Sequence, residues 1–177
     1  MLHLAQLHQE FINQQRYLGR LSEVTLRGYG QSFALLREVM PELTLLDLTA
    51  KSMTEFFRRL DTRPRIVGRG IRKVGIKKST AATYRSKLNR FFEWLVKTGH
   101  IKQNPFSLIQ YPDVQYEDKK FLGRREIQKI FTSLALSQVR QGVFIQRRNL
   151  AIFATLLYTG IRKSELLGLQ VTDLDLQ

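Results

Sequence analysis

The sequence predicts an all-α fold, and three observations carry that expectation. Apolar residues recur at three- and four-residue intervals in nearly every segment. Polar cap residues and glycine or proline stops bracket those segments. Within the first hundred residues one stretch, Arg63 to Lys78, breaks the pattern, with one proline and three glycines.

The first helix is expected from about Leu4 to Tyr17, with Leu4, Leu7 and Phe11 on one face and Leu18 as a further candidate for it. Ser22 is placed to cap a second helix that runs to about Val39, ahead of Pro41. Gly28 and Gly30 lie inside it, and each weakens it by about 1 kcal/mol relative to alanine. Two explanations of the pair stay open: they admit a backbone or phosphate closely, or they are packing glycines. Thr49 is expected to cap a third helix carrying Met53, Phe56, Phe57 and Leu60.

The interruption at 63–78 is either a loop or a short β-hairpin, because Ile66-Val67 and Val74-Gly75-Ile76 flank a glycine-rich turn. Ser79 or Thr80 then caps a fourth helix, with Tyr84, Leu88, Phe91, Phe92 and Leu95 on one face. The opposite face carries Ala82, Ser86, Asn89 and Arg90, flanked by Thr83 and Lys87 on one side and Arg85 on the other. Gly99 ends this helix. Asn104-Pro105 opens an irregular, linker-like stretch reaching about Lys120, whose Phe106, Tyr111 and Tyr116 are expected to dock against protein rather than stack on bases. A second helical unit follows, with helices from about Arg124 to Leu136, Arg147 to Tyr158 and Lys163 to Leu167. The expected organisation is thus a domain over 1–108, a linker over 109–120 and a second unit over 121–177.

Charge separates the function classes. Lys and Arg total 29 against 15 Asp and Glu, a net charge of +14. Between Asp61 and Arg90 ten basic residues face one acid, so this stretch holds most of the excess. Such a balance points to a polyanion, with nucleic acid first and an anionic membrane surface second. Small polar and basic side chains on the fourth helix suit a DNA groove, where phosphate contacts position and polar contacts read bases. Candidate contacts are Arg65, Arg69, Arg72, Lys73, Lys77 and Lys78 in the interruption, and Thr83, Ser86, Lys87, Asn89 and Arg90 on the helix.

Other classes fall away. With no cysteine there is no disulfide framework, thiolate zinc site or Cys nucleophile. His3, His8 and His100 lack metal-ligand spacing and are expected at the surface. No segment approaches the roughly 20 apolar residues of a membrane span, and the N-terminus lacks the order of a signal peptide. A soluble, intracellular protein is expected.

The most informative string is NLAIFATLLYTGIRKSELLGLQVTDLDL, from Asn149 to Leu176. Leu150 to Tyr158 reads as a buried apolar helix, Tyr158 as a core residue, and Gly160 as its left-handed cap. Arg162 then emerges at the start of another helix, beside free backbone N–H groups. A guanidinium there can grip two phosphate oxygens and stabilise charge developing on phosphorus. Asp173 and Asp175 are expected to serve the turn into a sheet.

LLYTGIRKSELLGLQVTDLDL resembles the first-arginine motif of the tyrosine recombinases, the Xer and phage-integrase group. The Ser22, Thr25, Tyr29 pattern, STAATYRSKLNRFFEWLVKTGHIKQNP and FLGRREIQKIF resemble the same family upstream. The resemblance implies a SAM-like core-binding helical bundle over 1–108, then the first helices of a catalytic domain. It implies that Arg162 clamps the scissile phosphate, and that Glu165 either orients Arg162 or only caps and pairs within the fold. It also implies double-stranded DNA as partner, a tetramer in a full-length parent, no metal or nucleotide cofactor, and a cytoplasmic, nucleoid-associated setting in a prokaryote. Complete members carry further along a lysine on a β-hairpin, a HisxxArg pair, another His or Trp, and the nucleophilic tyrosine. No histidine follows His100 here, so these 177 residues are expected to bind DNA without cleaving it. A non-catalytic regulatory protein on the same fold, or an RNA-binding basic protein, is the alternative.

Overall fold

The computed structural model describes residues 3–110, 121–136 and 142–173. The chain divides into two compact units, Met1–Glu117 and Asp118–Gln177. The described residues are mostly helical, with one two-stranded sheet.

The first unit opens with α1 (Leu4–Tyr17) and α2 (Glu23–Val39). Ser22 caps α2 as expected, its hydroxyl accepting from the Thr25 N–H at 3.4 Å. Helix α3 (Ala50–Thr62) begins in a reciprocal cap: Thr49 accepts from the Ser52 N–H, and the Ser52 hydroxyl accepts from the Thr49 N–H. Helix α4 spans Lys78–Lys97. Its N-cap is Lys77, whose carbonyl accepts from the N–H groups of Thr80 and Ala81 at 2.9 and 3.0 Å. Ser79 and Thr80 therefore sit in the first turn rather than at the cap. The backbone turn closes before their hydroxyls are reached.

Helix α1 packs on α2 and α4, and α2 also packs on α3. Their apolar stripes form one core, in which Leu7, Leu36, Met53, Phe56, Leu60, Phe92 and Leu95 are wholly buried. Phe106 docks into this core against Phe92 and Phe57, as expected for a protein contact. Two residues in and just after α1 depart from expectation. Leu18 lies just past the helix end and is exposed. His8 is buried, stacked on Phe33 with ring centroids 4.0 Å apart and edge-on to Phe91 at 5.1 Å. It follows Leu7 and falls one turn from Leu4 and Phe11, so the helix turns it inward. Burial pushes its pKa down to about 4.

The interruption is a hairpin: β1 (Pro64–Val67) pairs antiparallel with β2 (Ile71–Val74). The Gly68-Arg69-Gly70 turn joins them, with φ of 22°, 39° and 77°. Beyond β2, Gly75 has φ +72°, and a Cβ there would stand 2.6 Å from the Asp61 carbonyl. Only glycine fits where the hairpin rejoins the bundle.

The second unit contains α5 (Arg124–Leu136), α6 (Val143–Thr159), α7 (Lys163–Gly168) and a 3-10 turn at Val171–Asp173. Helix α6 starts four residues earlier than expected, directly after Gly142. Helix α6 packs on α5 and α7, with Phe131 edge-on to Phe153 at 5.0 Å. None of its described residues is fully buried. The expectation of a buried α6 with Tyr158 in a core is therefore overturned: Tyr158 is 78% exposed, because these helices close no core around it. The expected linker, for residues 111–120 including Tyr111 and Tyr116, and Asp175 lie outside the described residues. No described helix is long and apolar enough to cross a membrane.

Candidate nucleic-acid interface

The hairpin register fixes where its cations stand. Arg65 faces Lys73 and Val67 faces Ile71, while Pro64 faces Val74 and Ile66 faces Arg72. Side chains alternate across a strand, so Arg65 and Lys73 share one face and Arg72 occupies the other. Arg69 stands at the tip. Arg65 is half-buried, and its Nε donates to the Gly75 carbonyl at 2.6 Å, tying the strand to the glycine hinge. Arg69, Arg72, Lys73, Lys77 and Lys78 are exposed, and among the described residues no carboxylate pairs with any of them. That contrasts with Arg58 and Arg59, which grip Glu55 and hold its carboxyl down to about 2.

On α4 the expected contacts divide. Thr83 and Ser86 are exposed, though the Thr83 hydroxyl donates to the Ser79 carbonyl at 3.0 Å. Arg90 is exposed and pairs with Glu93 at 3.2 Å. Asn89 is half-buried and committed within the fold. Its amide donates to Glu93 at 2.7 Å, and its oxygen accepts from Asn104 at 2.8 Å. Lys87 crosses to α2, where its Cε would lie 3.0 Å from a Cβ added at Gly28. The open question about the two glycines thus divides as well. Gly28 makes room for Lys87, whereas nothing lies within 4 Å of a Cβ at Gly30.

In the second unit Gly160 takes the left-handed conformation, φ +67°, and its N–H donates to Leu156. Arg162 follows as the N-cap residue of α7. Glu165 does two things at once: one carboxylate oxygen accepts from the Arg162 N–H at 2.8 Å, and the other pairs with its guanidinium at 3.0 Å. Those bonds, the backbone one first, hold the Glu165 carboxyl below the usual carboxylate range. The cap and the ion pair thus share one carboxylate. The Arg162 side chain remains 83% exposed and can still present donors outward. Asp173 serves the turn at Val171–Asp173, accepting from the Gln170 N–H at 2.9 Å, and the sheet expected after it lies outside the described residues.

Three features escaped the sequence. The Asn89–Asn104 bond spans fifteen residues and leaves no local trace. The Gly28–Lys87 contact joins two helices, and only the helix-weakening glycine hinted at it. Ile66 and Val74 stand exposed on one hairpin face, which the strand alternation could have indicated.

The chain is 33% identical over 102 residues to the tyrosine recombinase XerC of Bacillus licheniformis, a match covering 58% of this chain and 32% of that relative. It is 28% identical over 160 residues to a tyrosine recombinase of Thermosipho africanus, covering 89% and 51% respectively. The chain is a relative of the tyrosine recombinases. Tyrosine recombinase XerD of Proteus mirabilis matches over the same length, 160 residues at 26% identity, 89% of this chain and 46% of the other. The chain spans about a third to a half of the length of these recombinases. No family model and no solved structure matches it.

Proposed function

We propose that this chain is a duplex-DNA-binding part of a site-specific recombinase, gripping the phosphate backbone through the 64–74 hairpin and the start of α4. The observation that carries this is the group of five exposed cations, Arg69, Arg72, Lys73, Lys77 and Lys78, which no carboxylate among the described residues pairs. Cations so arranged release condensed counterions when they meet a duplex, which drives binding without reading sequence. Thr83, Ser86, Lys87 and Arg90 continue the polar surface along α4, with Arg65 anchoring the hairpin behind it. Asn89 acts indirectly, by tying α4 to the Asn104 turn.

Arg162 is the residue that would clamp a scissile phosphate, with Glu165 fixing its backbone and guanidinium together. The recombination reaction, the tetramer in which strands exchange and the nucleoid setting belong to this proposal. Strand cleavage needs a nucleophile, a second cationic clamp and a proton donor acting as a unit, and losing such a set costs several powers of ten. The 177 residues alone therefore bind DNA and form no covalent adduct. The test is a suicide duplex that traps cleaved strands, run beside competition by RNA at equal salt. Retention without an adduct, and duplex preferred over RNA, is the expected outcome; an adduct or an RNA preference would overturn it.

A further inference from the structure

The hairpin carries more than charge. Ile66 is 74% and Val74 72% exposed, and the register puts both on the face that also holds Pro64 and Arg72. The opposite face holds Arg65 and Lys73 with the half-buried Val67 and with Ile71, 56% exposed, so it is the more basic and the less apolar of the two. From Thr62 to Phe92 the sequence contains no acid, so a neutral partner covering this ribbon would bury its cations without counter-charge. A polyanion with an apolar feature in its groove satisfies both halves of the surface. Two strands lie about 5 Å apart, and a major groove about 12 Å wide admits such a ribbon whereas a minor groove about 6 Å wide does not.

Building on the DNA-binding proposal above, we infer that the hairpin enters the major groove with its Ile66–Val74 face toward the base edges. There the two side chains meet thymine 5-methyl groups, the apolar feature of that groove. Arg69 at the tip and Lys73 on the far face reach phosphates, and Arg72 reaches one from the margin of the inserted face.

The test uses two duplexes of equal length, alternating A·T and the same sequence with deoxyuridine for thymidine, which differ only in the methyl group. Wild-type protein should bind the thymine duplex about fivefold tighter, the scale of one lost base contact. The variant Ile66→Ser with Val74→Ser should bind both duplexes equally, with an unchanged dependence on salt. Both positions are exposed, so the fold tolerates the change. Equal binding by the wild type, or a thymine preference kept by the variant, overturns the inference. So does loss of self-association by the variant without loss of that preference, which would make the face a contact between copies. Failure of the underlying proposal looks different: neither duplex is retained at any salt.

Discussion

Lys87 lies against the bare Cα of Gly28, and a Cβ at that position would collide with its ammonium group. The contact sits where α2 packs on α4, beside the polar surface that the hairpin begins. Gly28 thus costs α2 about 1 kcal/mol of helix propensity and in return sets the path of a candidate phosphate contact.

Gly28→Ala should therefore separate stability from binding. The helix gains propensity and the displaced group is the flexible end of a lysine, so the melting temperature should not fall. Duplex affinity should drop to that of Lys87→Ala, and the double variant should bind no more weakly than either single. Such non-additivity is the signature of two residues acting through one contact. Fluorescence anisotropy on the four proteins checks it. Additive losses would show that Gly28 does not act through Lys87.

His8 makes unit stability depend on acid. Its folded pKa, about 4, lies below the ordinary value of 6.5, so the unfolded chain binds more protons between these two limits. Stability contributed by the neutral ring is complete above about pH 6.5. It should fall by roughly 1.4 kcal/mol per pH unit as pH drops towards 4, levelling off below. Denaturant unfolding of wild type and His8→Phe across that range measures the effect, and the variant should lack the His8 component.

Glu165 predicts the opposite kind of group at the other site. Its carboxyl is held below the usual range by the Arg162 backbone N–H and guanidinium, so the cap is present above ordinary carboxylate pKa values. It is lost as pH falls through the lowered folded value. The Arg162 amide resonance should report this as a titration centred below that of an unpaired glutamate. Glu165→Gln should remove the titration while leaving α4 and the hairpin unperturbed.

Sequence pattern and structure agree where local rules decide the outcome. Ser22, Thr49 and Gly160 end or start helices because single side chains or a missing Cβ satisfy the backbone there. The apolar stripes of α1, α3 and α4 meet in a core for the same reason. Legibility failed where partners lie far along the chain. His8 reads as polar in composition, yet its helical position places it between Phe33 and Phe91. Tyr158 reads as core because its neighbours are apolar, yet burial needs a surface to pack against and the described helices supply too little. The charge of the 63–78 stretch was plain, but its two faces became distinct only with the register of Arg65 against Lys73 and Ile66 against Arg72.

Whether the hairpin cations grip phosphates is read most directly from the salt dependence of duplex binding. Log affinity for a duplex should fall linearly with log salt, with a slope of about −0.9 for each phosphate neutralised. Replacing Arg69, Arg72, Lys73, Lys77 and Lys78 with glutamine should weaken binding and flatten that slope by roughly four units. A variant that keeps the wild-type affinity and slope would contradict such a grip.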